Sequence, residues 1–343
     1  MTGDRTPLSR ELLAERLLPA ALCDLFGLDA AGADVTPVGR GAMGRIWRLT
    51  AGGAAYAVKE HLWGVDERAV ARGAAFQQAA AAAGVRSPRN VPTSGGGLVG
   101  HLPAALGGSG VRLHDWQEGP AARPDEAGTP ERLGELLARL HGLALAAPDP
   151  PDPWYETVEE VDWDRLAGAA AARRPWQEQL AASLPGLRRL ASLVTPSDPD
   201  DRITCHLDVQ CSNVVVTDRG WVLLDWDDTG AGCADRELAR ALLGWFTAGG
   251  VDGAAIGRTM AAYRAAGGTA VLDPDRSFAM QAAICVNFVA AQARLALDDT
   301  YAEHHADAEE RLMNVLTALP DVATYDEVVR FAATGGGRFG GRR

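Results

Sequence analysis

The sequence predicts an α+β protein with a mainly β first part and a mainly helical second part. Three observations carry that expectation. Short apolar runs separated by glycine turns occupy the region before residue 117. From Pro130 onward leucines recur at helical spacing, as in Leu133, Leu136, Leu137, Leu140 and Leu143. Two apolar runs, 213–216 and 221–224, then interrupt the helical part around a Thr217-Asp218-Arg219-Gly220 turn.

Taken in order, Ser9 followed by Arg10–Leu18 predicts a capped amphipathic helix. Val35–Val38 and Arg45–Leu49 predict short strands flanking a glycine-rich turn. Gly52-Gly53 then joins the second of these to a third strand over Ala54–Lys59. The alanine-rich stretch Asp66–Ala83 has strong helix propensity. Pro88–Gly97 reads as a loop, and Leu98–Leu102 with Gly110–His114 as a further hairpin. Between Trp116 and Thr129 the chain turns polar and rich in Pro and Gly, which places a boundary there. The expected organisation is a lobe over 1–116, a helical lobe over 117–333 and a flexible tail over 334–343. Beyond Arg236 the pattern is helical to about Val329.

The 33 basic and 45 acidic residues give a net charge of −12, against non-specific nucleic-acid binding, which needs basic patches. That charge would steer a cationic small molecule, and it equally fits an ordinary solvated surface. The odd cysteine set (Cys23, Cys205, Cys211, Cys233, Cys285) holds no C-x-x-C pair, so neither a disulfide framework nor a zinc site is expected. Met1–Leu18 lacks an apolar signal core, and no uncharged apolar run is long enough to span a bilayer. A cytoplasmic protein without a membrane partner is the expectation.

The most informative stretch is His206-Leu207-Asp208-Val209-Gln210-Cys211-Ser212-Asn213, with Asp225 following in Leu224-Asp225-Trp226-Asp227-Asp228. An acid two residues after a His, an amide five residues on, and a second acid ending an apolar run form one chemical set. It is the set needed to orient a hydroxyl nucleophile and hold Mg²⁺ against ATP phosphates. Asp208 is the candidate base or hydroxyl-orienting group, and His206 fixes its loop. Asn213 and Asp225 offer oxygens suited to Mg²⁺. They flank the hairpin, so both are expected at its open end. Asp227 is a further metal neighbour or supporting acid, Asp228 a turn or cap residue, and Glu237 a candidate to hold the loop through an ion pair.

Upstream, Gly39-Arg40-Gly41-Ala42-Met43-Gly44 matches G-x-G-x-x-G. Alone this is weak. Here a strand-like run follows Gly44 where a dinucleotide fingerprint would open a helix, which suits a flap whose backbone approaches ATP phosphates at Gly39, Gly41 and Gly44. Lys59 ends Ala57-Val58-Lys59, and lysine is rare in this arginine-rich chain, so it is the candidate phosphate-binding residue. Its acid partner is left open between Glu67, Glu60 and no acid at all.

These segments together resemble the aminoglycoside phosphotransferase family, the small-molecule branch of the protein-kinase-like fold. The likeness rests on Gly39–Gly44, Ala57-Val58-Lys59, the 133–143 helix ending Arg139-Leu140-His141, His206-x-Asp208 with Asn213, and Leu224-Asp225-Trp226-Asp227. It implies a bilobal kinase-like fold with a mainly β N-terminal lobe, a mainly helical C-terminal lobe and ATP at a hinge near Trp116–Gly119, with GTP as an alternative nucleotide. The family usually has Gly where this chain has Leu207, and the helix acid for Lys59 is not at its expected distance. Only ten residues separate Asp225 from Arg236, too few for a protein kinase's activation loop. The expected activity is ATP-dependent phosphorylation of a hydroxylated small molecule, an aminoglycoside or other antibiotic first, which would confer resistance. A sugar, amino alcohol or biosynthetic metabolite comes second as substrate, and a nucleotide-binding pseudokinase scaffold last.

Overall fold

The computed structural model describes residues 10–41, 44–168 and 174–334. Ser9 as a helix cap, Ala42 and Met43 of the glycine turn, and the tail from Gly335 lie outside the described residues. The chain divides into two units, one reaching Ala121 and including Val214–Asp227, the other comprising Ala122–Asn213 and the residues from Asp228.

The first unit opens with α1 (Arg10–Phe26), followed by β1 (Asp34–Arg40), β2 (Gly44–Ala51) and β3 (Ala54–His61). After α2 (Glu67–Ala82) come β4 (Asn90–Val91), β5 (Gly100–His101) and β6 (Gly110–Asp115). The antiparallel sheet runs β1-β2-β3-β6-β4, with β5 also on β6. The alternation of a half-buried strand sorts its faces. Leu49, Val58, Val111 and Leu113 pack with Leu18, Leu22 and Phe26 of α1, which leaves Lys59 on the opposite face. Lys59 stands across from Ile46 on one side and Arg112 on the other. β4 lies within the stretch read as loop, since two residues are too few to show a period.

In the second unit, α3 (Thr129–Gly142), α4 (Pro153–Glu156), α5 (Trp163–Gly168) and α6 (Pro175–Ala191) precede β7 (Arg202–Cys205). The hairpin of β8 (Val214–Thr217) and β9 (Gly220–Leu223) follows and groups with the first unit, although the chain enters it from the second. Then come β10 (Gly230–Cys233), α7 (Ala234–Phe246), α8 (Gly253–Ala265), α9 (Ala279–Leu295), α10 (His305–Thr317) and α11 (Val322–Thr334). α9 is the central helix, touching α4, α6, α7 and α10, and is buried around most of its circumference. Among the described residues, no single helix is long and apolar enough to cross a membrane.

The pairing of β7 with β10 was not legible in the sequence, because Gly-Ala-Gly-Cys is a poor strand former. Its small residues serve packing. A Cβ on Gly232 would fall 2.6 Å from Leu207 Cδ2 and 3.3 Å from Cys205 Cβ. All five cysteines are free thiols.

Candidate active site

Lys59 lies on the sheet face away from α1, and its Nζ meets Asp225 Oδ1 at 2.5 Å and Asp227 Oδ2 at 2.6 Å. Asp227 also accepts from Arg112, whose other guanidinium nitrogen reaches Asn90 Oδ1 at 3.0 Å. Asn90 in turn donates to Gln77 of α2 at 2.6 Å, and Gln77 to Pro88 O at 2.5 Å. A buried polar chain thus runs from α2 through the sheet to Lys59. Burial works against the charge of Lys59, yet the two carboxylates outweigh it and hold the amine above the ordinary lysine range. Burial likewise opposes ionisation of Asp227, but Lys59 and Arg112 keep its carboxyl well below the carboxylate range.

Neither sequence candidate for the lysine's partner meets it. Glu67 is the exposed first residue of α2 beside the Asp66 cap. Glu60 is buried on the other face of β3, where it accepts from Trp47 Nε1 at 3.1 Å. The buried polar residue of α2 is Gln77, a neutral amide. Asp225 has a φ of 56°, the left-handed region that costs an ordinary residue roughly 1–2 kcal/mol, and its contact with Lys59 sustains it there. Gly39 has open space where a Cβ would go and a Cβ on Gly41 would make an ordinary 3.8 Å contact with Gly44 O, whereas a Cβ on Gly44 would fall 2.4 Å from Glu60 O. Gly44 therefore lets β2 approach β3. Trp116, which follows β6, donates its N–H to Ala55 O at 3.1 Å and its indole to Glu118 at 2.7 Å.

In the second unit, His206 is fully buried, and its Nδ1 accepts the Asp208 N–H at 3.2 Å. The Asp208 carboxylate is held at both oxygens. Oδ1 accepts from Arg240 at 2.6 Å and Oδ2 from Asn213 Nδ2 at 2.6 Å. Leu207 adopts a φ of 67° with its side chain buried among Tyr155, Cys205 and Met280. One face of α7 holds the loop's backbone. Glu237 accepts the Leu207 N–H, Arg240 Nε donates to Leu207 O at 3.0 Å, and Trp245 Nε1 donates to Val209 O at 2.9 Å. Behind Glu237, His141 bridges its carboxylate and the Tyr263 hydroxyl, each at 2.8 Å. Burial opposes ionisation of Glu237, but the His141 hydrogen bond and charge, with His206 and the Leu207 N–H, hold it below the ordinary glutamate range.

Residues 34–276 match the phosphotransferase enzyme family. The chain belongs to that family. This phosphotransferase matches no curated protein sequence significantly. Solved structures similar to it are small-molecule kinases. A spectinomycin phosphotransferase, APH(9)-Ia, in complex with ADP and spectinomycin has a TM-score of 0.65 at 14% identity, covering 96% of this chain and 99% of that one. An amicoumacin kinase with AMP-PNP and Ca²⁺ gives 0.55 at 14% identity over 92% and 99% of the two chains. A microcompartment-associated aminopropanol kinase gives 0.56 at 16% identity over the same shares. The phosphotransferase thus has the kinase-like fold, a β-rich N-terminal part before a helical C-terminal part. Enzymes of this family act on hydroxyl groups of small molecules.

Sequence reasoning missed Arg112, Gln77 and Arg240 in this phosphotransferase. A buried arginine among many arginines gives no signal of its own. Lys59 had a stronger one: it is the only lysine in the chain.

Among the described residues, no cluster of three or more His, Cys, Asp or Glu could hold a metal alone. Mg²⁺ takes one or two protein oxygens and completes its shell with phosphates and water. The donor chemistry separates the sequence-expected ligands. Asn213 spends its amide N–H on Asp208 and keeps a carbonyl oxygen, and Asp225 meets Lys59 through Oδ1. Asp227 already carries a cation on each oxygen.

Proposed function

We propose that this phosphotransferase moves the γ-phosphoryl group of ATP, with Mg²⁺, to a hydroxyl of a cationic small molecule, an aminoglycoside or a related amine-bearing antibiotic. The observation that carries the reading is the doubly held Asp208 carboxylate on a loop clamped by α7. A carboxylate fixed in this way orients an acceptor hydroxyl and takes its proton as the phosphoryl group departs. Lys59, with Gly39, Gly41 and Gly44 before it, is the proposed nucleotide-phosphate contact. Asn213 and Asp225 are the proposed holders of Mg²⁺, which when bound neutralises charge on the phosphates. Asp227 we assign to holding Lys59.

The preference for a cation rests on the carboxylates around the catalytic loop. Burial, then Asp228, and less strongly Asp208 and Asp152 push Tyr155 well above its ordinary range, while Arg240 works against them. The acids of the 156–164 and 298–310 segments lend less support, since Glu156 pairs with Arg236 at 3.2 Å, Glu159 with Arg294 and Glu309 with Arg174.

The test is ADP release from Mg²⁺-ATP by the purified protein across aminoglycosides, other amine antibiotics, amino alcohols and sugars. Turnover confined to amine-bearing acceptors supports the proposal. Turnover on neutral sugars alone, or on none of the panel, overturns the substrate class.

A further inference from the structure

Asp208 would point a hydroxyl correctly only if its carboxylate is held against rotation, and one residue holds it while also holding the peptide before it. Arg240 donates to three acceptors at once, Asp208 Oδ1 at 2.6 Å, Leu207 O at 3.0 Å and Gln281 Oε1 at 2.8 Å. Its side chain is 16% exposed and that of Asp208 21%. The planar guanidinium fork fixes direction as well as charge, which an ammonium would not do. α7 supplies it one turn after Glu237, so the same helix face that accepts the Leu207 N–H returns a donor to the Leu207 carbonyl. Gln281 lies on α9 and sets the far side of the guanidinium.

We propose that Arg240 is a positioning residue for phosphoryl transfer: it fixes the rotamer of Asp208, so that the other carboxylate lone pairs face the acceptor hydroxyl. This inference rests on the reading of Asp208 given above. It adds that Asp208 acts mainly by orientation. A carboxylate already carrying a guanidinium on one oxygen and an amide on the other is a well-aimed acceptor, which a loose transition state requires.

The experiment compares Arg240→Ala, Arg240→Lys and Asp208→Asn with the unaltered enzyme in steady-state ADP release, using the best acceptor from the panel or water if none is better. Guanidinium ion is added at concentrations that leave the fold intact, checked by thermal melting. Arg240→Ala should lower kcat on the order of 10²-fold while KM for ATP moves little. Guanidinium should restore part of that loss in Arg240→Ala alone, and Arg240→Lys should fall between. A kcat within about twofold of the unaltered enzyme, or a loss that guanidinium does not relieve, overturns the inference. If Arg240→Ala fails to fold, Arg240→Gln, which can still donate to the Leu207 carbonyl, carries the same comparison. If Asp208→Asn abolishes turnover and the Arg240 variants do not lower it, only this inference fails. If Asp208→Asn leaves turnover intact, the reading of the site fails with it.

Discussion

Glu237 accepts the backbone N–H of Leu207 and, with its other oxygen, meets His141 at 2.8 Å, so a buried carboxylate on α7 holds the loop that carries Asp208. Replacing it with Gln keeps the shape and removes the charge. Glu237→Gln should lose about 1–3 kcal/mol in urea unfolding, the range for weakening a buried charged hydrogen bond. It should lower kcat more than it raises KM for ATP, because nothing it touches lies in the first unit's lysine cluster.

Leu207 reverses an ordinary expectation. Its φ of 67° favours glycine, yet its side chain fills space beside Gly232. Leu207→Ala keeps the strain and loses the packing, at roughly 2–5 kcal/mol. Leu207→Gly loses the same packing and relieves about 1 kcal/mol or more of strain. Glycine should therefore be the more stable of the two, measured by thermal melting. An alanine variant more stable than the glycine one would contradict this account of the loop.

Because Lys59 is the only lysine, an amine-reactive reagent followed by peptide mapping reads it directly. Its pKa is raised, so less neutral amine is present at any pH and labelling should be slower than for a model lysine peptide. Asp227→Asn should speed labelling, and Mg²⁺-ATP should protect.

Arg112 holds the acid that holds Lys59. Arg112→Met should weaken binding of a fluorescent ATP analogue about tenfold, the order expected for losing one charged hydrogen bond behind the lysine. Arg112→Lys should recover part of it. Unchanged affinity in the methionine variant would detach the arginine from the nucleotide site.

His114 gives a pH dependence. Burial, with Arg112 nearby, drives its pKa down to about 3, so the folded protein keeps it neutral. Below the unfolded value of about 6.5, the unfolded chain binds a proton that the folded one refuses. This contribution is fully present above about pH 6.5 and is lost as pH falls toward 3, at up to about 1.4 kcal/mol per unit. His114→Leu should flatten the decline of stability between about pH 6.5 and 5, measured by urea unfolding at each pH.

The local readings of strand, turn and helix rested on signals that sequence carries well. The hairpin at Gly52-Gly53 and the leucine spacing of α3 are local patterns, and both elements form there. β10 was illegible because its two glycines answer to Leu207, a residue distant in sequence. In the site, His206-x-Asp208 and Asn213 stood out because acid, amide and histidine at fixed spacing are rare together. The partner of Lys59 did not, because Asp227 reaches it only once the β8–β9 hairpin joins the first unit. Arg240 escaped notice because its role depends on α7 lying along the loop.

The most direct measurement is single-turnover transfer of the γ-phosphoryl group from Mg²⁺-ATP to an acceptor, in the unaltered enzyme and in Asp208→Ala, alongside nucleotide affinity for both. Transfer is expected in the first, with a loss of about 10²–10⁴-fold in the second and affinities that agree within a few-fold. Transfer that survives Asp208→Ala, or its absence in the unaltered enzyme with every acceptor class, would contradict this expectation.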